Sequence, residues 1–148
     1  MPNVGPKANI LKASAKLKKA LRSAGALEHY SSDHRLFDVD EANLGVFLVI
    51  KGKVCLSVRD FPKLDRIFPP GSLLGLPATF TGHPYSLAAT TLTEAEVLHV
   101  EPKPFLDLMS QQPDLCREAT DMLSREVTFI QAALAERRRY KSDSSSAA

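Results

Sequence analysis

Residues 71–91 read Gly-Ser-Leu-Leu-Gly-Leu-Pro-Ala-Thr-Phe-Thr-Gly-His-Pro-Tyr-Ser-Leu-Ala-Ala-Thr-Thr, and their types and spacing could build a binding site. Gly75 permits a close backbone approach, and Pro77 can start a one-turn helix over residues 78–80. Backbone N–H groups at such a start converge on an acceptor, usually an anion. Gly82 and Pro84 then turn the chain toward a strand at Leu87. A tight structural turn would use the same residues. Other chemistry is sparse. The four histidines, His29, His34, His83 and His99, form no HxH or HExxH pattern and have no cysteine beside them, so no metal site is expected. No GxSxG, GxxxxGK[ST] or Cys–His signature occurs. Glu94/Glu96 and Asp38/Asp40, two residues apart in extended segments, mark outward faces rather than acid–base pairs. Neither catalytic residues nor an enzyme is expected.

The elements that must hold this segment follow from periodicity. A helix is expected from Asn9, with Ile10, Leu17, Leu21 and Ala24 on one face, Asn9 as its cap and Gly25 as its end. Short runs rich in Val, Leu, Phe and Thr follow at 35–39, 46–51, 53–59, 64–68, 87–92 and 95–100. Turn signals at Asp40-Glu41, Lys51-Gly52, Asp60 to Pro62 and Pro69-Pro70-Gly71 separate them. Six or more closely spaced strands predict a small antiparallel sandwich or barrel. With no GxGxxG after a strand and no βαβ alternation, a dinucleotide-binding sheet is disfavoured. Pro102 and Pro104 open a short helix to about Ser110, and Pro113 opens a long one reaching Tyr140. Along it, Leu123, Val127, Ile130 and Leu134 fall at i, i+4, i+7 and i+11, with Ala119 and Cys116 extending the stripe backward. That spacing suits pairing with a second copy, or packing on the chain's own barrel.

Composition sets the outer bounds. With 44% hydrophobic and 24% charged residues the sequence has the make-up of a globular domain. The longest apolar run, Val46–Ile50, is far short of the roughly 20 residues of a membrane span. No apolar stretch follows the basic N-terminus, so no secretory signal is expected, and a cytoplasmic location is the default. Cys55 and Cys116 fit neither a disulfide framework nor a metal-binding spacing. The formal charge of +2 hides an acidic body: residues 1–27 carry +6, residues 28–135 carry −6 and residues 136–148 carry +2. The basic ends are solvated helix faces or contacts for nucleic acid or an anionic partner.

Several motifs in order carry a resemblance: Leu36-Phe37, the run Gly45-Val46-Phe47-Leu48-Val49-Ile50-Lys51-Gly52-Lys53-Val54, then Pro70-Gly71-Ser72-Leu73-Leu74-Gly75, Pro84-Tyr85-Ser86-Leu87-Ala88-Ala89-Thr90, and the long C-terminal helix. Residues 27–136 resemble the effector-binding domain of the Crp–Fnr superfamily, the cyclic nucleotide-binding fold. The resemblance implies an α+β fold: an antiparallel β-roll of the double-stranded jelly-roll kind, with an N-terminal helix and a long C-terminal dimerisation helix. The expected divisions are a basic lead and helix over 1–26, the β-roll over 27–112, the dimerisation helix over 113–141 and a disordered tail over 142–148. A ligand pocket is implied around Gly75–Ala89, with Gly75, Leu76, Ala78, Thr79, Tyr85 and Ser86 as its candidate contacts. The implied dimer interface takes Leu123, Val127, Ile130 and Leu134.

Two departures shape the functional expectation. Members that bind cyclic nucleotides place a glutamate after the glycine and an arginine about ten residues later. Here Leu76 stands in the glutamate place and Tyr85 or Ser86 in the arginine place, and no Lys or Arg occurs from 71 to 100. Losing a charge-assisted bond weakens binding by about 10- to 150-fold, so cyclic AMP in the usual mode is disfavoured, no cofactor is expected, and Leu76 favours a less polar effector. The chain also stops at Ala148, where family transcription factors continue into a helix-turn-helix, so sequence-specific DNA reading is not expected. The cysteines do not suffice for an iron–sulfur cluster, and haem ligation by a histidine stays open. The leading expectation is a homodimeric, non-enzymatic sensor of an unknown small-molecule effector, away from the membrane and reporting to a protein partner. The alternative is a stand-alone module that binds acidic protein or nucleic acid and has a vestigial pocket.

Overall fold

The computed structural model describes residues 12–147, with side chains through residue 139. The expected lead over 1–7, Asn9 and Ile10 lie outside the described residues. The first helix, α1 (Ala15–Ala24), is capped by Ser14, whose hydroxyl accepts from the Leu17 N–H at 3.1 Å, and residues 12–14 are not helical. This corrects the expected start at Asn9. Gly25 ends the helix as expected, in an extended rather than left-handed conformation (φ −136°).

Eight strands follow: β1 (Ala26–Tyr30), β2 (Arg35–Phe37), β3 (Val46–Lys51), β4 (Val54–Val58), β5 (Phe61–Phe68), β6 (Leu73–Leu74), β7 (Ala88–Thr91) and β8 (Ala95–Val100). They form two four-stranded antiparallel sheets, ordered β1-β8-β3-β6 and β2-β7-β4-β5. The turn expected over Asp60–Pro62 is shorter: β5 begins at Phe61 and carries Pro62. Because β5 is an edge strand, a proline without an N–H is tolerated there.

The unbroken apolar run of β3 arises because both of its faces are covered. Phe47 and Val49 enter the cluster between the sheets with Val54, Leu56, Phe68 and Val97. Val46 and Leu48 enter a second cluster outside the first sheet, with Leu17 and Leu21 of α1. Alternate side chains of a strand point to opposite faces, so a doubly covered strand is apolar throughout. Leu98 and Val100 of β8 follow the same alternation into the outer cluster.

Three more helices complete the chain: α2 (Leu76–Thr81), α3 (Pro102–Gln111) and α4 (Pro113–Ala147). The second cluster joins α1 and the first sheet to Phe105, Leu108 and Met109 of α3 and Leu115, Ala119 and Met122 of α4. Polar contacts tie α1 to the start of α4. The Ser14 N–H and hydroxyl both donate to the Glu118 carboxylate at 2.7 Å, and Lys16 pairs with Asp114. The Lys16 contact holds the exposed Asp114 carboxyl below its ordinary range. α4 is helical through residue 147, which replaces the disordered tail expected over 142–148 as far as the described residues reach.

The apolar stripe of α4 divides. Leu115, Ala119, Met122 and Ala133 are the buried apolar residues of the helix, while Leu123, Val127, Ile130 and Leu134 stay half-buried. Ile130 packs on the cluster between the sheets and Leu123 on the outer one. Val127 and Leu134 belong to neither. Intramolecular packing therefore takes one flank of the stripe and leaves Val127 and Leu134 as its outer edge.

Candidate functional site

The segment from Gly75 to Leu87 closes against the β-roll and the middle of α4. Gly75 adopts a left-handed conformation (φ +90°) as the cap of α2, and a Cβ there would lie 2.8 Å from the Gly45 carbonyl oxygen. Only glycine meets both requirements without strain. Pro77 sits in the first turn of α2, where its missing N–H costs nothing.

Tyr85 dominates the interior. It is 3% exposed and its ring stacks on Phe37 with centroids 3.9 Å apart. Its hydroxyl donates to the Gly45 carbonyl at 2.7 Å and accepts from the Leu44 N–H at 3.0 Å. Burial pushes its phenol up to about 12, so it stays protonated and serves as a fixed bridge between the helix-bearing segment and the entry to β3.

From the other side α4 contributes Glu126 and Ile130. The Gly75 N–H donates to Glu126 Oε2 at 3.4 Å, whereas Oε1 is buried with no partner among the described residues. Burial pushes the Glu126 carboxyl up to about 8, against the opposing pull of the Gly75 and Leu76 N–H groups. In this packing the group is mostly uncharged at pH 7. Between Tyr85, Glu126 and the sheet lies a cavity of about 20 Å³, lined also by Phe37, Leu56, Gly75, Pro77, Ala78, Ser86, Leu87 and Ile130. That is room for about one water, against roughly 300–1,000 Å³ for the usual small-molecule site.

Of the six candidate contacts, the structure brings Gly75, Ala78, Tyr85 and Ser86 to this cavity. Leu76 and Thr79 do not line it. Leu76 is fully buried in the outer cluster with α1 and α3, so its side chain faces away from the cavity and does not set its polarity. The Thr79 hydroxyl is used locally, donating to the Gly75 carbonyl at 2.8 Å. Sequence reasoning missed Glu126, Phe37, Leu56 and Ile130. The candidate dimer residue Ile130 lies on the cavity wall.

Other clusters offer less. A groove of about 410 Å³ beside the β4–β5 turn contains Arg35 and Arg59. Arg35 pairs with Asp38 at 3.0 Å and Arg59 with Asp40 at 3.8 Å. Burial and the adjacent Asp65 push the Cys55 thiol up to about 11, which suppresses the thiolate. His99 stacks on Phe47 at 4.5 Å and its Nε2 lies 2.6 Å from the Leu44 carbonyl, a structural placement. Among the described residues no group of His, Cys, Asp and Glu could hold a metal, and no helix is long and apolar enough to cross a membrane. At the basic ends, Lys16 and Arg139 pair with Asp114 and Glu136.

Comparison with known proteins agrees with this architecture. The model of the cyclic nucleotide-binding domain family matches residues 27–112, more than half of the chain. The solved catabolite activator protein of Thermus thermophilus superposes with a TM-score of 0.68 at 19% identity, over 82% of this chain and 59% of that one. The chain thus spans about three-fifths of that relative's length. A bacterial structure described under a cyclic-GMP-dependent signalling pathway regulating phytopathogenesis superposes with a TM-score of 0.71 at 17% identity, over 79% of this chain and 95% of that one. No curated protein matches. With two four-stranded sheets rolled around one cluster, a glycine-capped turn of helix and a long closing helix, the chain belongs to the cyclic nucleotide-binding domain family and has the Crp/Fnr-type effector-domain fold.

Proposed function

We propose that this protein is a non-enzymatic regulatory module. In this reading, an effector enters the pocket between Gly75–Leu87 and α4, and α4 passes the event to a partner. The observation that carries the reading is that the cavity wall is shared: Phe37, Leu56 and Tyr85 come from the β-roll, and Glu126 and Ile130 come from the helix. A ligand larger than a water must displace one of the two, so occupancy and helix position are coupled. Such coupling does regulatory work only when the ligand binds the two arrangements with different affinity.

Cyclic nucleotides in the usual mode are not the effector in this reading. Among the described residues the cavity wall has no Lys or Arg, and its titratable groups are Tyr85 and Glu126, neither of which supplies positive charge. Titration with cyclic AMP or cyclic GMP to millimolar concentration is expected to leave the thermal midpoint unchanged. A ligand at 100 times its Kd would add about 2.7 kcal/mol, so a saturable rise of several degrees would overturn this part of the reading.

The module acts as a homodimer along the outer edge of α4. Val127 and Leu134 are half-buried apolar residues outside both clusters, at a spacing that a second copy of the helix would complete. Val127→Glu is expected to halve the mass measured by light scattering while preserving the circular dichroism of the fold. An unchanged dimer mass in a folded Val127→Glu protein would move the interface elsewhere.

A further inference from the structure

Among the described residues Glu126 belongs to neither apolar cluster and to no ion pair. Its carboxyl is carried across by α4 and set against the backbone N–H groups of Gly75 and Leu76. The second oxygen is buried without a partner among the described residues, and Glu126 lines a cavity whose remaining wall is largely apolar. An acidic side chain usually escapes to water from a long helix, and keeping one here costs its solvation. We propose that Glu126 is an internal ligand of the pocket, and that the effector replacing it carries a carboxyl group on an apolar body. This deepens the effector-pocket reading and rests on it.

Three observations support this chemistry. The Gly75 N–H already donates to a carboxyl oxygen at 3.4 Å, and the Leu76 N–H beside it pulls on the same carboxyl. The wall offers Phe37, Leu56, Ala78, Leu87 and Ile130 to an apolar body. Among the described lining residues there is no cation to neutralise a phosphodiester, which stays ionised at any working pH, whereas a carboxyl can enter as the neutral acid, the form in which Glu126 sits against the backbone N–H groups. An incoming carboxyl would take over the N–H groups and free α4 from them. Glu126 is thus a latch whose release the effector drives.

The latch is tested by deleting it and supplying its chemistry from solution. Glu126→Ala is expected to unfold at a lower temperature than the wild type, and at pH 5, where part of it is acetic acid, sodium acetate is expected to restore about 2–4 °C saturably, relative to equal sodium chloride. The wild type, with its seat filled, should show no such rise. Hexanoate should act on Glu126→Ala at a concentration at least tenfold lower than acetate, because its chain meets the apolar wall. Glu126→Gln, which keeps an acceptor oxygen and nearly the same shape, should stay folded and be insensitive to acetate. It also serves as the reference if Glu126→Ala folds poorly.

Equal acetate shifts in wild type and Glu126→Ala, or none in either, would overturn the internal-ligand assignment. Equal potency of acetate and hexanoate would overturn the apolar-body assignment. Either failure leaves the broader pocket reading standing, since that depends on the mobility of α4 and not on Glu126. If the rescue succeeds while α4 proves immobile, the regulatory reading fails and the carboxyl seat remains.

Discussion

Tyr85→Ala is expected to lower the stability of the folded protein by about 3–5 kcal/mol, the range for deleting a buried aromatic side chain. The reason is the double engagement of this residue. Its ring fills the space beside Phe37 at 3.9 Å. Its hydroxyl joins the Leu44 N–H and the Gly45 carbonyl, two groups that no regular strand pairing satisfies. Tyr85→Phe isolates the second part and should cost about 1–3 kcal/mol, the penalty for leaving buried backbone groups without a partner. Urea unfolding of the three proteins measures both. If Tyr85→Phe matched the wild type, the hydroxyl bridge would be a bystander. If Tyr85→Ala cost no more than Tyr85→Phe, the ring would not be filling the pocket as described.

Gly45→Ala should cost about 2–6 kcal/mol, combining strain at a left-handed position with overpacking. Gly45 has φ +109°, and a Cβ would stand 2.0 Å from the Val100 carbonyl oxygen and 2.9 Å from the Glu101 Cα. Both atoms belong to backbone, so no side chain can swing away. Relief would require the start of β3 to part from β8, where Val46 pairs with Val100. Gly82→Ala is the control: φ is +76° but nothing lies within 4 Å of its Cβ, so strain alone, about 1–2 kcal/mol, is expected. Comparable losses at both positions, read from chemical denaturation, would contradict the close approach at Gly45.

The β-roll was legible because its strongest signals are local. Val46–Lys51 and Ala95–Val100 were read with the boundaries the structure has: the first carries the unbroken apolar run Val46–Ile50 of a strand covered on both faces, and in the second Ala95, Val97, Leu98 and Val100 stand between clear turn signals. β1 was missed because Ala26–Tyr30 is a mostly exposed edge strand containing Glu28 and His29. β6 was missed because it is only Leu73–Leu74. The cap at Ser14 competed with an equally good candidate at Asn9, and its contact with Glu118, 104 residues away, leaves no local trace.

The pocket was half legible for the same reason. Gly75, Ala78, Tyr85 and Ser86 are close in sequence and bear turn signals. Glu126 meets Gly75 across 51 residues, and a glutamate on a long helix reads as a solvated face. The misplacement of Leu76 has a simple origin: the turn of α2 directs its side chain, with that of Phe80, into the outer cluster rather than the cavity.

Regulation through the pocket requires that α4 can leave it while the β-roll stays folded. Native-state amide hydrogen exchange tests this directly. The amides of Gly75 and Leu76 and those of α4 from 126 to 134 are expected to exchange through one shared opening. That opening should cost less free energy than exposing the β3–β8 amides of Leu48 and Leu98, which should exchange only on global unfolding. If the Gly75, Leu76 and α4 amides were instead protected to the same level as Leu48 and Leu98, α4 would be a fixed part of the core, and it could not report the pocket's occupancy.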